Sequence, residues 1–131
     1  MGKTYTCEKD VKASVKKLLD KHKYFWWMPP ANGFGKVGVS DFNALRGGVF
    51  VAVETKFGNN KPTVQQKAYL QSVIAEDGFG FVVSEKSIHW FELWLDAFDK
   101  AAEATSKKEK VSSEIGAAML DAIRELTTDI M

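Results

Sequence analysis

Two strand-like runs follow one another in residues 39–56, whose sequence is VSDFNALRGGVFVAVETK. β-Branched and aromatic residues recur in both runs, Val39–Leu45 and Val49–Lys56, and such residues favour strands. Between the runs lies Gly47-Gly48, which suits a two-residue turn because glycine accepts the positive φ that tight hairpin turns need. The segment is therefore predicted to form a β-hairpin.

The register of this hairpin determines which side chains share a face. Counting outward from the turn places Arg46 opposite Val49 and Asp41 opposite Glu54. Directly opposed residues of antiparallel strands have Cβ atoms about 5 Å apart, so two carboxylates repel each other there unless a cation lies between them. Lys56 shares the face of Glu54, because side chains alternate along a strand. This face predicts either a Mg²⁺ site suited to phosphodiester hydrolysis or a surface salt-bridge cluster.

The elements around the hairpin predict a mixed α/β domain. Helical periodicity covers residues 6–21, 63–76, 88–102 and 112–127, and strand-like runs cover residues 24–28 and 79–83. A chain of 131 residues is long enough for one hydrophobic core. Residues 1–104 are interpreted as the core domain, and residues 105–131 as a linker and a C-terminal helix that packs on the core or in a dimer interface.

Charge is distributed unevenly along the chain. Residues 1–84 carry 12 Lys/Arg against 7 Asp/Glu, whereas residues 85–131 carry 6 against 10. This distribution fits a nucleic-acid-binding face on the first part, and it fits a solvated surface equally well. The longest apolar stretch, Tyr24–Pro30, is too short to cross a bilayer, so no membrane partner is expected.

The cysteine content and the N-terminal sequence predict a cytoplasmic setting, or the host cytoplasm if the protein is viral. The single cysteine, Cys7, excludes an intramolecular disulfide and is interpreted as a small core residue. The N-terminal residues lack the apolar region of a signal peptide. Of the two histidines, His22 is expected at the surface.

Three segments resemble the PD-(D/E)XK nuclease superfamily, in its VRR-NUC branch, which includes small stand-alone proteins common in phages. They are GVSDF at 38–42, FVAVETK at 50–56 and KPTVQQK at 61–67. The branch combines a G-x-P-D strand start, an E-x-K strand and a Thr-Pro-x-Gln helix start, and Ser40 stands where the branch usually has proline. The resemblance covers residues 7–84 and implies a restriction-endonuclease-like core, a central mixed sheet flanked by helices, with added C-terminal helices.

The resemblance also implies the roles of the site residues. Asp41 and Glu54 would be metal ligands, joined by the carbonyl oxygen of Thr55, and Lys56 would be the catalytic lysine. Gln66 would be the motif glutamine that positions the lysine or the phosphate. Because Thr63 and Gln66 also have the spacing of a capping box, Gln66 has a structural alternative.

Family members also use a glutamate on the first helix, and Glu8 is the best match for this catalytic, metal-binding residue. It shares a helical stripe with Val11 and Val15, so it is expected to face inward, where a carboxylate needs a partner or a metal ion. The alternative is a favourable interaction between its charge and the N-terminus of the helix dipole.

Three lysines are the candidates for contacts with DNA phosphates: Lys36, Lys61 and Lys67. Lys36 lies in a G-x-G-x-x-G sequence at residues 33–38. That motif precedes a predicted strand, whereas a dinucleotide site requires it between a strand and a helix, so no nucleotide cofactor is expected.

These observations predict a DNA endonuclease dependent on Mg²⁺ or Mn²⁺ that hydrolyses phosphodiester bonds. The resemblance implies structure-specific cutting of branched DNA by a Holliday-junction-resolvase-like homodimer. The alternatives are a nuclease for flaps, ends or single strands, a non-catalytic DNA-binding module, and an interaction domain with a salt-bridged hairpin. The dimer is also motivated by the segment 88–98, which is apolar on more than one side and must be covered by the last helix of the same chain or of a second one.

Overall fold

The computed structural model describes residues 3–30, 38–107 and 113–128. Four helices and four strands follow one another along the chain: α1 (Glu8–Lys21), β1 (Phe25–Trp27), β2 (Phe42–Arg46), β3 (Val49–Thr55), α2 (Val64–Ala75), β4 (Phe79–Val83), α3 (Ile88–Lys107) and α4 (Ser113–Thr128). The strands form one mixed sheet in the order β1-β2-β3-β4, in which the β3–β4 pair is parallel and the other pairs are antiparallel. The predicted α/β class is confirmed.

The β2–β3 hairpin has the predicted register. Arg46 pairs with Val49 and Phe42 pairs with Val53. Both turn glycines have positive φ, 58° at Gly47 and 79° at Gly48. Strand β2 begins three residues later than predicted, because the hydroxyl of Ser40 donates to the carbonyl oxygen of Phe42 and folds the preceding residues into a local turn.

The main core lies between one face of the sheet and the helices α1 and α3. Val15 of α1 and Val53 of β3 are fully buried in it. From α3, the ring of Trp94 packs edge-on against Phe79 and Phe81 of β4, with centroids 4.9 and 4.7 Å away. Helix α3 therefore buries one apolar side against the sheet.

Helix α2 packs on the opposite face, over β3 and β4. Gly80 of β4 allows this close approach, because a Cβ atom there would lie 3.2 Å from Leu70 of α2. Side chains alternate along a strand, so Ala52 and Glu54 of β3 point to the α2 side, whereas Val51 and Val53 point into the main core. The sheet face beneath α2 therefore carries Glu54, one of the two predicted carboxylates.

The C-terminal helix α4 packs on α3 of the same chain. The indole nitrogen of Trp94 donates to the carbonyl oxygen of Ile123 across this contact. Trp90, Leu93 and Leu126 nevertheless remain exposed. Within the described part of the chain, no helix has the length and apolar composition required to span a membrane.

Two expectations about single residues are wrong. Cys7 is exposed rather than part of the core, since it occupies the N-cap position of α1, which begins at Glu8 instead of residue 6. Thr6 stays outside the helix because its backbone N–H and its hydroxyl both donate to Asp10. His22 is buried rather than at the surface, because α3 brings Asp99 against the end of α1.

Candidate functional site

Glu54 is a buried carboxylate at the C-terminal end of β3, only 2% exposed. Its Oε2 accepts a hydrogen bond of 2.9 Å from Nε2 of Gln66 and lies 3.6 Å from Nζ of Lys56. Its Oε1 is buried and has no hydrogen-bond partner among the described residues. Burial, reinforced by the negative charge of Asp41 and opposed by Lys56, raises the pKa of Glu54 to about 7. Gln66 and Lys56 thus engage one oxygen of this carboxylate, and burial makes a proton or a cation a favourable partner for the other.

Asp41 precedes β2 and is held by Thr55. Its Oδ2 accepts two hydrogen bonds from this residue, one of 3.0 Å from the backbone N–H and one of 2.6 Å from the hydroxyl. Extending the hairpin register by one residue beyond the Phe42–Val53 pair places Asp41 beside Glu54, as predicted. Thr55 therefore fixes one oxygen of Asp41 and leaves Oδ1 for another partner. The role predicted for the Thr55 carbonyl oxygen stays a prediction.

Lys12 links Glu8 to Asp41. Its Nζ lies 3.5 Å from Oε2 of Glu8 and 3.7 Å from Oδ1 of Asp41. Glu8 is half-buried, so the expectation that it faces inward is only partly met; as the first residue of α1, it reaches the site through Lys12. Within the described part of the chain, Glu8, Asp41 and Glu54 do not form a set of three ligand atoms within 4.8 Å of one another. Lys12 is a site residue that was not predicted, although its i,i+4 spacing from Glu8 was a usable signal.

Gln66 forms the capping box predicted from its spacing and also contacts the site, through Glu54. The role that the resemblance implied for it, positioning the lysine or the phosphate, stays a prediction. Gln66 completes a capping box with Thr63, in which the Thr63 hydroxyl accepts from the Gln66 N–H and the Gln66 Oε1 accepts from the Thr63 N–H. The remaining amide group of the same side chain contacts Glu54. Gly38, which has φ +84°, allows the start of α2 to approach closely. A Cβ atom at this position would lie 2.6 Å from the backbone of Gln65.

A groove of 520 Å³ opens next to the site and is rich in lysine. Its lining includes Lys56, Lys61, Lys67 and Lys86, together with polar side chains such as Asn59, and none of the described residues that line it is a carboxylate. Two of the predicted phosphate-contacting residues, Lys61 and Lys67, are thus brought to the same cavity as Lys56. The third, Lys36, lies outside the described residues. Such a groove suits a polyanionic ligand.

A second charged cluster lies away from the site, at the end of α1. Nδ1 of His22 is 2.5 Å from Oδ2 of Asp99, whose other oxygen pairs with Arg46, and Asp96 lies 3.7 Å from Nε2 of the same ring. His22, Asp96 and Asp99 have ligand atoms within 4.8 Å of one another. Because Asp99 is already engaged by both Arg46 and His22, the cluster is interpreted as a structural tie between α1, β2 and α3.

The structure thus brings together five of the predicted site residues around the C-terminal end of β3: Asp41, Glu54, Thr55, Lys56 and Gln66. Neither a comparison with protein-family models nor one with curated proteins yields a match for the chain. Its function is therefore inferred from the geometry of this site and from the three motifs that supply its residues.

Proposed function

We propose that the chain is a metal-dependent DNA endonuclease of the PD-(D/E)XK superfamily, in the VRR-NUC branch, with a restriction-endonuclease-like core. The observation that carries this proposal is the unpartnered Oε1 of Glu54. A buried carboxylate next to a second carboxylate is costly unless a cation neutralises the pair. Lys56 and Gln66 both contact the other oxygen, Oε2. Among the described residues, none forms a hydrogen bond with Oε1.

The donor set fits Mg²⁺ or Mn²⁺. Glu54 Oε1 and Asp41 Oδ1 are hard carboxylate oxygens, the ligands that these ions prefer. Thr55 does not engage Asp41 Oδ1, whose described partner is the ammonium group of Lys12, 3.7 Å away. The Thr55 carbonyl oxygen and Glu8 are the further candidate ligands. When bound, the ion would polarise the scissile phosphate and lower the pKa of a water molecule.

The residues around the carboxylates have distinct roles in this proposal. Lys56, at the junction of the site and the lysine-lined groove, stabilises negative charge on the phosphoryl oxygens and helps to orient the attacking water. Gln66 holds Glu54 in position by its 2.9 Å hydrogen bond, and Thr55 does the same for Asp41. Both supports come from regular elements, α2 and β3, which favours a fixed geometry.

The proposed substrate is DNA, with phosphates contacted by Lys61 and Lys67 in the groove. The finer proposal is a homodimer that cuts branched DNA like a Holliday-junction resolvase, because a two-fold dimer presents two sites to strands of opposite polarity. The exposed side chains of Trp90, Leu93 and Leu126 support a protein contact in the C-terminal region. The proposal includes no nucleotide cofactor and no membrane partner, and it assumes a cytoplasmic setting.

The test is cleavage of linear, flapped and four-way DNA by the purified chain with Mg²⁺ or Mn²⁺. Glu54→Gln and Asp41→Asn should abolish cleavage while the protein stays folded. Lys56→Ala should lower the rate about 10²- to 10³-fold and still bind Mn²⁺ in a calorimetric titration, because lysine is not a ligand.

Matched controls are the exposed residues Asp121 of α4 and Lys100 of α3, neither of which belongs to the candidate site. Asp121→Asn and Lys100→Ala should cut DNA like the wild type. Near wild-type cleavage by Glu54→Gln would refute the site assignment, and no cleavage of any DNA by the wild type would refute the proposed activity.

A further inference from the structure

The sheet face that carries Glu54 extends beyond the area that α2 covers. Pairing runs from Trp27 to Asn43 and from Asn43 to Ala52, and paired residues of neighbouring strands point to the same side of a sheet. Ala52 and Glu54 share that side because they are two residues apart. Helix α2 packs on β3 and β4 and reaches β2 through a hydrogen bond from the Tyr69 hydroxyl to Asn43. Trp27 therefore lies on the face of the candidate site, beside the part covered by α2.

Three aromatic side chains form a row on this face: Phe25, Trp27 and Phe50. Phe25 is 69% exposed and Trp27 is 39% exposed. The ring centroids are 5.8 Å apart for Phe25 and Trp27, and 6.1 Å apart for Trp27 and Phe50. The row continues into a groove of 370 Å³ between Phe50 and α2, lined also by Tyr69. Exposed aromatic side chains clustered on a sheet face are typical of a binding surface.

The ligand that suits both this aromatic row and the candidate site has flat apolar faces and phosphates on one chain. A single-stranded nucleic acid has both, and its bases stack on exposed aromatic rings, as they do on the sheets of RNA-recognition domains. A regular duplex does not suit the row, because its bases are already stacked and paired, and only their edges are accessible in the grooves.

Phe50 is the member of the row that lies on β3, and its position indicates how the nucleic-acid strand would lie. Phe50 and Glu54 are four residues apart on one strand, which corresponds to about 13 Å. A nucleic-acid strand running along β3, with unpaired bases on the aromatic row, therefore brings a phosphodiester a few nucleotides farther on to Glu54. The lysine-lined groove lies beyond Glu54, next to Lys56, where it can receive the continuing backbone.

We propose that Phe25, Trp27 and Phe50 bind the unpaired bases of the DNA substrate, so that the enzyme acts on DNA with a single-stranded segment beside the cut, such as a flap, an end or an open branch point. This inference rests on the proposed nuclease function and specifies its substrate class. A second copy of the chain is the competing occupant of the row. It is disfavoured because the row shares its face with the site that must admit the substrate.

The experiment measures binding without cleavage. Fluorescein-labelled oligodeoxythymidylate is titrated with the protein in EDTA, and anisotropy gives the Kd. Trp27→Leu and Phe25→Leu keep an apolar side chain but remove the ring. Each stacked base contributes about 1–3 kcal/mol, so either variant should weaken binding about 5- to 150-fold. Trp27→Phe should restore most of the affinity.

His89→Leu is the matched control, because it also replaces an exposed ring by leucine, on α3 and outside the row. It should bind oligodeoxythymidylate like the wild type. Circular dichroism and thermal unfolding verify that each variant is folded. If Trp27→Leu does not fold, Phe25→Leu still provides an independent measurement.

The outcomes separate this inference from the proposed function. Equal affinities of Trp27→Leu, Phe25→Leu and the wild type would overturn the stacking role. So would cleavage of fully paired DNA by a wild type that does not bind oligodeoxythymidylate, although the nuclease proposal would then stand. If sedimentation equilibrium shows that Trp27→Leu dissociates a dimer while its affinity for the oligonucleotide is unchanged, the row is a protein interface and the inference is wrong. Cleavage of no DNA at all would refute the proposed function, whatever the binding result.

Discussion

Gln66 and Glu54 are joined by a hydrogen bond that fixes the orientation of both side chains. Oε1 of Gln66 accepts from the backbone N–H of Thr63 at 2.8 Å, so Nε2 is the atom that faces Glu54 and donates to its Oε2 at 2.9 Å. The reversed amide would place two acceptors against each other at Glu54 and two donors at Thr63. The cap of α2 and the carboxylate of β3 are thus one hydrogen-bonded unit.

Gln66→Ala should therefore lower the free energy of unfolding by more than the loss of a helix cap alone would. A lost cap costs about 0.5–2 kcal/mol, and an unpaired buried acceptor costs about 1–3 kcal/mol, so the free energy of unfolding should fall by roughly 1.5–5 kcal/mol. Urea denaturation measures this loss. Gln65→Ala, at the exposed neighbouring position, should lose well under half as much, and similar losses for the two variants would contradict the prediction.

The stability of the metal-free protein should fall as the pH rises. Burial, with Asp41, raises the pKa of Glu54 from 4.5 to about 7, so the folded state favours the protonated acid. This contribution is fully present below pH 4.5 and is lost as the pH passes through 7, a change on the order of 3 kcal/mol. Because Glu54→Gln cannot ionise, its stability relative to wild type should increase between about pH 5 and about pH 8.

Urea denaturation in EDTA across this pH range tests the prediction. Glu92→Gln serves as the control, since Glu92 forms an exposed ion pair with Lys21, and its curve should run parallel to that of the wild type. A parallel curve for Glu54→Gln as well would show that Glu54 ionises normally in the folded protein.

Gly38→Ala should be strongly destabilising. The residue has φ +84°, and a Cβ atom would lie 2.6 Å from the backbone of Gln65, which is the start of α2 rather than a flexible side chain. Backbone strain of about 1–2 kcal/mol and overpacking of about 1–3 kcal/mol add to roughly 2–5 kcal/mol. Gly48→Ala is the matched control, because Gly48 has φ +79° with open space around it and carries the strain without the contact. Equal thermal shifts for the two variants would refute the steric argument.

Lys12→Met should bind Mn²⁺ more tightly than the wild type. The Lys12 ammonium lies 3.7 Å from Oδ1 of Asp41, the oxygen proposed as a metal ligand, so it competes with an incoming cation. A partly exposed ion pair contributes up to about 1 kcal/mol, which corresponds to an affinity gain of about two- to fivefold in calorimetry. Lys16→Met, one turn along α1 at an exposed position, should leave the affinity unchanged. Weaker binding by Lys12→Met would show that Lys12 supports the metal site instead.

Lys61 and Lys67 should contribute to DNA affinity through phosphates. Both line the groove beside Lys56, and each phosphate contact contributes about 0.9 to the slope of log K against log salt concentration for duplex DNA. The double variant Lys61→Ala/Lys67→Ala should therefore lower the slope by roughly 1.8, measured by anisotropy in EDTA. Lys17→Ala/Lys100→Ala, which removes the same charge from exposed positions outside this groove, should leave the slope unchanged; an equal decrease would indicate that only net charge matters.

The sequence by itself determined the features that depend on local periodicity. The Gly47-Gly48 turn fixed the register of the hairpin, and alternation along the strands then placed Asp41 beside Glu54 and Glu54 on the same side as Lys56. The capping box of α2 followed from the spacing of Thr63 and Gln66 in the same way. In each case the contacts join residues within one element or across one tight turn, so few chain conformations can satisfy the pattern.

Only the tertiary structure decided the contacts between elements distant in sequence. Lys12 reaches Asp41, Asp99 buries His22, and Trp27 stays exposed because α2 packs over β3 and β4 rather than over the edge of the sheet. Helical periodicity gave the apolar stripes of α1 and α3, but it does not fix how far each helix slides along the sheet or which strand it covers. That choice is made by packing, as at Gly80, where the missing side chain lets Leu70 approach the sheet.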